Sequence, residues 1–159
     1  MWDHYTFSAD VEFLRTRAYP ILREAADFFL AHMILEPKHG WLVTGPSDSP
    51  ENWFLAPSGG KCAESMGSTV DRVFVHVLFT MCIEASKTLG IDPELRNDLE
   101  TARAKLPPFQ IGRYGQLQEW LEDFGEADPN HRHTSHLAAL YPEDQISPRT
   151  TPELARAAR

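Results

Sequence analysis

One glutamate in this sequence, Glu119, has neighbours that suit a proton donor. It lies in the segment 112–123, next to Gln118 and Trp120 rather than in a run of charged residues. A carboxyl beside an indole is partly desolvated, which favours its protonated form near neutral pH. The sequence therefore indicates a general acid at Glu119. The alternative reading is an ordinary helix carboxylate that favours the helix dipole or pairs with a residue four positions away.

A second candidate segment, residues 131–136, contains three imidazoles and a guanidinium within six residues. Arg132 and His133 are donors suited to a polyhydroxylated or anionic ligand. The histidine spacing does not match the paired helical spacing of a zinc site, and no cysteine partner lies nearby, so we expect neither a metal nor another cofactor. Cys62 and Cys82 form no redox or zinc motif and are expected to be free thiols.

The third candidate region is a long loop over residues 45–67, which has three prolines and four glycines. Loops of this length in compact domains are usually functional or disordered. Glu51 and Asn52 could hydrogen-bond sugar hydroxyls, and Trp53 could stack on a sugar ring. From these residues alone, a surface turn with an exposed tryptophan is an equally good reading.

Composition restricts the classes of ligand. The chain has 159 residues, of which 42% are hydrophobic and 24% charged, so it is long enough for one globular domain with a core. Its net charge of -8 opposes binding to nucleic acid and fits a neutral sugar better. No apolar run approaches the ~20 residues of a membrane helix, and no targeting segment or compartment is indicated.

These candidates must be positioned mainly by helices. Apolar residues recur at helical spacing after Pro20 and again between Thr69 and Leu89, where Gly90 ends the pattern. Further helices are predicted from Pro93 to Leu106, across residues 112–123, and from Thr151 onward. No strand-period alternation of useful length appears. We predict an all-α fold of successive antiparallel helices joined by long functional loops, forming one domain over residues 1–159.

Four motifs together resemble the catalytic domain of glycoside hydrolase family 95, the inverting alpha-L-fucosidases. They are WDHYTFSAD at residues 2–10, VTGPSDSPEN at 43–52, GQLQEW at 115–120 and HRHTSHL at 131–137. They occur in order across essentially the whole chain. The resemblance implies an (α/α)6 barrel, of which these residues would form roughly half, and hence a partial catalytic domain.

The resemblance also implies roles for the candidate residues. Glu119 matches the general acid of the family, and Arg132 and His133 match a substrate-contacting pair. The loop residues Glu51, Asn52 and Trp53 would complete the sugar pocket, without any metal. The implied substrate is a fucosylated oligosaccharide or glycan from which terminal alpha-L-fucose is hydrolysed. Alpha-L-galactose, which differs from fucose only at C6, and a non-catalytic helical module with part of a sugar pocket are the alternatives.

The family activates its water through asparagines upstream and an aspartate downstream, and neither group is among these 159 residues. We therefore expect the isolated chain to be inactive. Apolar helix stripes that lack their barrel neighbours would favour self-association. The sequence leaves the natural glycan, the linkage, the oligomeric state and the compartment open.

Overall fold

The computed structural model describes residues 1–159 and divides into two units. The first unit consists of helices, including those predicted from apolar residues at helical spacing. This unit comprises Met1–Met33 and Val75–Leu106. Its helices are α1 (Trp2–Ser8), α2 (Val11–Phe13), a π-helical turn (Leu14–Ala18), α3 (Tyr19–His32), the part of α4 (Thr69–Leu89) from Val75 onward, and α5 (Pro93–Ala104). Leu22 and Ala26 are buried at helical spacing on α3, which confirms the predicted core-facing helix.

The predicted end of α4 is confirmed by its backbone geometry. Gly90 has φ of 66°, a left-handed conformation that glycine adopts without steric cost. The N–H of Ile91 donates to the carbonyl of Ser86 at 3.2 Å, and the N–H of Gly90 donates to that of Lys87 at 3.3 Å. This pair of bonds is a Schellman motif, which satisfies the last carbonyls of the helix.

The second unit comprises Ile34–Phe74 and Pro107–Arg159 and contains all of the short strands. β1 (Ile34–Leu35) pairs antiparallel with β2 (Leu42–Val43). β3 (Phe54–Leu55) is the centre of a second antiparallel sheet, between β4 (Lys61–Cys62) and β5 (Gly125–Glu126). The unit also contains the first residues of α4, a 3-10 helix (Ser135–Ala139) and α6 (Pro152–Ala157). The all-α prediction is therefore wrong for this unit, because strands of two residues are too short to produce alternation in the sequence.

The helix predicted across residues 112–123 is also wrong. The chain turns back instead, with an isolated bridge between Ile111 and Leu117 and a left-handed Gly115 at φ of 81°. The Leu117 N–H, which a helix would use, donates to the carbonyl of Ala157 at 2.8 Å. The N–H groups of Arg113 and Tyr114 donate to the side chains of Asp123 at 2.8 Å and Gln116 at 3.0 Å. Polar side chains that compete in this way favour turns over helix.

A small apolar core fixes this turned segment within the second unit. Its buried members are Val73, Leu117, Ala139 and Ile146. Leu117 is two residues before Glu119, so the packing of Leu117 limits where the glutamate can lie. The barrel remains an expectation from the family resemblance. None of the helices is long and apolar enough to cross a bilayer.

Candidate active site

Glu119 is fixed by its backbone as well as by its side chain. Its carbonyl accepts from the N–H of Thr69 at 2.9 Å, and the carbonyl of Gln118 accepts from the Thr69 hydroxyl at 2.6 Å. The first N–H groups of a helix have no partner inside the helix, so the backbone at Gln118 and Glu119 satisfies a free donor at the start of α4. The Glu119 side chain is 14% exposed.

Two side chains from the long loop hold the carboxyl of Glu119. The Ser49 hydroxyl donates a hydrogen bond to Oε1. Asn52 Nδ2 lies 3.1 Å from both Oε1 and Oε2. Ser49 is 1% exposed and Asn52 is 7% exposed, so both bonds are protected from water. Oε1 therefore has two donors, whereas Oε2 has only one.

A tight turn explains how residues 49 and 52 reach the same carboxyl. The Asn52 N–H donates to the Ser49 carbonyl at 3.1 Å, with Pro50 and Glu51 between them. Pro50 has the preset φ that suits the first inner position of a β-turn. Glu51 has a positive φ of 55°, which a residue with a side chain seldom adopts. Strain of this kind clusters at functional sites, where surrounding contacts hold it in place.

The base of the same loop is held by Asp71. Its Oδ2 accepts from the hydroxyl of Thr44 at 2.7 Å and from that of Ser47 at 2.8 Å. The hydroxyl oxygens of Ser47 and Ser68 also lie 2.8 Å apart, within hydrogen-bond distance. Asp71 lies in the first turn of α4, so its carboxylate links the loop to the start of that helix.

Three of the predicted sugar-contacting residues pair with one another in the structure. Arg132 donates to Glu51 in an ion pair, and His133 Nε2 lies 3.6 Å from the same carboxylate. His133 Nδ1 lies 3.1 Å from the carbonyl of Pro50. The histidine segment and the long loop are thus joined at the turn, although the ion-paired side chains are exposed to solvent.

Trp53 and Asn52 differ in how free they are to bind a sugar. Trp53 is 51% exposed, so its indole is available to a ligand. The Asn52 amide is already used, because its oxygen accepts from the Trp53 N–H at 2.9 Å and its nitrogen faces Glu119. This geometry makes Asn52 a residue that positions the carboxyl.

His136 also lies close to Glu119. It belongs to the 3-10 helix, which follows Glu119 in the chain, whereas the loop turn precedes Glu119. Its Nδ1 lies 3.7 Å from Glu119 Oε2, is buried, and has no hydrogen-bond partner. Burial lowers the pKa of His136, and the nearby carboxylates of Glu119 and Glu126 oppose that effect without overcoming it. The imidazole is therefore neutral near neutral pH.

A cleft of about 240 Å³ opens beside these groups, lined by Glu119, Glu126, Thr134 and His136 among others. A protonated carboxyl in such a cleft can give its proton to an oxygen of a bound molecule. No group of three or more His, Cys, Asp or Glu side chains is arranged to hold a metal ion. The chemistry that this arrangement supports is general acid catalysis.

The sequence missed Ser49 as a functional residue. The sequence indicated roles for the three residues after Pro50 and none for Ser49. The one available signal was that Ser49 opens the motif SPEN at residues 49–52. Its partner, Glu119, is 70 residues away along the chain. A local sequence pattern cannot predict a contact at that separation.

Comparison with known proteins agrees with the four motifs. The family model for the glycosyl hydrolase family 95 catalytic domain matches residues 1–159. The chain is 41% identical over 157 residues to alpha-L-fucosidase 2 of Arabidopsis thaliana, which covers 98% of this chain. It is 33% identical over 152 residues to probable alpha-fucosidase A of Aspergillus niger, which covers 92% of this chain. In both comparisons it spans 18% of the length of the relative. The motifs, the carboxyl held in a cleft and these similarities together place the chain in the glycosyl hydrolase family 95 catalytic domain family.

Proposed function

We propose that this chain carries the general-acid part of the active site of an inverting exo-glycosidase that hydrolyses terminal alpha-L-fucosyl linkages in glycans. Glu119 is the acid in this proposal. The observation that carries it is the Glu119 carboxyl beside a cleft, oriented by Ser49 and Asn52 with one oxygen less occupied than the other. The relatives that are named as fucosidases supply the substrate class.

The proposed step begins with the proton on Oε2 of Glu119. Oε1 already accepts from two donors, so Oε2 has room for the proton. As the bond from the anomeric carbon to the leaving oxygen breaks, that oxygen takes the proton and Glu119 becomes a carboxylate. Ser49 and Asn52 then stabilise the new negative charge, because both donate to the carboxyl. In an inverting enzyme the attacking water is activated on the opposite face of the sugar.

Sugar recognition in this proposal comes from the neighbouring loops. Trp53 offers an exposed aromatic face, and Arg132, His133 and Glu51 offer charged and polar groups joined around one turn. A sugar hydroxyl could replace part of the exposed ion pair at small energetic cost, since exposed pairs contribute roughly 0–1 kcal/mol.

The test is Glu119→Gln in the full-length protein that contains this chain. Hydrolysis of a fucosylated oligosaccharide should fall by ~10²–10⁴-fold, because its leaving group needs the proton. Hydrolysis of an aryl fucoside with a good leaving group should fall much less. Glu84→Gln, the same change at an exposed glutamate of α4 that pairs with Lys87, is the control and should match the unmodified protein.

The same assay distinguishes the alternatives. The first product seen by proton NMR should be beta-L-fucose, and initial release of the alpha anomer would contradict inversion. An aryl alpha-L-galactoside run in parallel compares the two sugars. Near-native hydrolysis of the oligosaccharide by Glu119→Gln would remove the assignment of Glu119.

A further inference from the structure

We propose that His136 is a positioning residue for Glu119, with its Nδ1 accepting a hydrogen bond from the protonated Oε2 of the acid. In this arrangement the imidazole keeps the transferable proton on Oε2 until a leaving oxygen takes it. The inference rests on the proposed function, because it assigns a role in the same proton transfer.

The first support is the surroundings of Nδ1. The atom is buried and has no hydrogen-bond partner, and the carboxyl oxygen Oε2 of Glu119 lies 3.7 Å away. Neither water nor a sugar hydroxyl reaches a nitrogen that is closed to solvent, so the available partner is Glu119. A movement of less than about 1 Å would bring the pair to normal hydrogen-bond distance. Since a buried polar atom without a partner is costly, that movement is favoured.

The second support is the unequal use of the two carboxyl oxygens. Ser49 and Asn52 both donate to Oε1, whereas Oε2 receives only a shared bond from Asn52. A proton on Oε1 would displace one of those donors. A proton on Oε2 displaces nothing and points toward a nitrogen able to accept it.

The third support is the charge state of the imidazole. Burial lowers the pKa of His136 against the attraction of Glu119 and Glu126. The other ionisable side chains of the cleft are Glu122, Asp123 and Arg159. A neutral imidazole has one nitrogen without hydrogen, and with the hydrogen on Nε2 that nitrogen is Nδ1. Because burial disfavours the charged ring, the neutral imidazole can only accept a hydrogen bond at Nδ1 from a proton carried by the glutamate.

The experiment compares two variants of the full-length protein by the pH dependence of kcat/KM on a fucosylated oligosaccharide. His136→Phe removes the nitrogen and keeps the ring volume. His136→Asn places an amide oxygen near the position of Nδ1. Thermal unfolding of both variants identifies any loss caused only by misfolding.

In His136→Phe the alkaline limb of the profile should move to lower pH by about one unit, the shift expected when one hydrogen bond to the protonated acid is lost. His136→Asn should recover at least half of that shift. An unmoved limb in His136→Phe, even with lower activity at every pH, would overturn the proposal. So would a His136→Asn profile that coincides with that of His136→Phe.

A measurement independent of activity separates this inference from the proposed function. Nitrogen NMR of labelled histidine in the unmodified protein should show an unprotonated, hydrogen-bonded Nδ1 at His136 that changes in Glu119→Gln. A protonated Nδ1 across the working pH range would refute the role of His136 and leave Glu119 as the acid. Full activity of Glu119→Gln would instead refute the proposed function.

Discussion

The hydrogen bond from Ser49 to Glu119 gives the sharpest test of how the acid is held. In Ser49→Ala the carboxyl keeps Asn52 and loses its most buried donor. In the proposed mechanism negative charge grows on Glu119 as its proton leaves, so the lost bond is worth more in the transition state than in the bound substrate. The substitution should therefore lower kcat and leave KM nearly unchanged.

The size of the effect follows from the kind of bond. A hydrogen bond to a charged group contributes about 1.5–3 kcal/mol, and each 1.36 kcal/mol changes a rate tenfold. The full range is thus about 10- to 160-fold in kcat, and the remaining Asn52 bond favours its lower part. The loss should be larger for an oligosaccharide than for an aryl fucoside, because proton transfer matters more for the poorer leaving group.

Ser47→Ala is a matched control for Ser49→Ala. Ser47 is a buried serine of the same loop, and its hydroxyl bonds Asp71 and Ser68 instead of Glu119. Both variants should lose stability, but only Ser49→Ala should show the leaving-group dependence. The assay is steady-state kinetics on both substrates, with thermal unfolding of each variant. If Ser49→Ala stays within twofold of the unmodified protein, or if Ser47→Ala reproduces its kinetics, the reasoning about Glu119 is refuted.

Two further predictions concern stability. Gly67→Ala should destabilise the protein by roughly 1–3 kcal/mol in urea unfolding. Gly67 has φ of 61°, and an added Cβ would lie 2.9 Å from Val43 Cγ1. The control Gly59→Ala should cost less, because Gly59 has φ of 89° but no atom lies within 4 Å of its added Cβ. For Glu36, burial pushes the pKa up, but hydrogen bonds from the backbone N–H groups that follow it prevail and set the pKa below its ordinary value. The folded state therefore holds this proton less tightly, so the contribution of Glu36 is present above the unfolded pKa of about 4.5 and is lost as pH falls through the folded value. Glu36→Gln should flatten the acid side of a pH-stability curve, and an unchanged slope would contradict this.

The family was already determined by the sequence, because four short motifs in order suffice to mark it. Helix α4 was predictable from its apolar period and from Gly90, since those signals act within a few residues. The identity of Glu119 as the candidate acid also came from its neighbours in the chain.

Tertiary structure alone decided the conformation around that acid. The segment that contains Glu119 reads as a helix, yet the Leu117 N–H bonds the distant carbonyl of Ala157 and the Leu117 side chain packs into the core. The two-residue strand β3 pairs with the nearby β4 and also with β5, which comes from a distant part of the chain. Sequence patterns within a few residues do not predict pairing with a distant strand.

The same limit applies to the details of the site. Ser49 and Asn52 reach Glu119 across 70 and 67 residues of sequence, and His136 comes from a third segment. The sequence supplies these residue types, but the direction of each side chain depends on the turn at Pro50 and on the 3-10 helix. Hydrogen bonds, burial and proton sharing depend on distances of a few ångströms, and those distances are set when the chain folds.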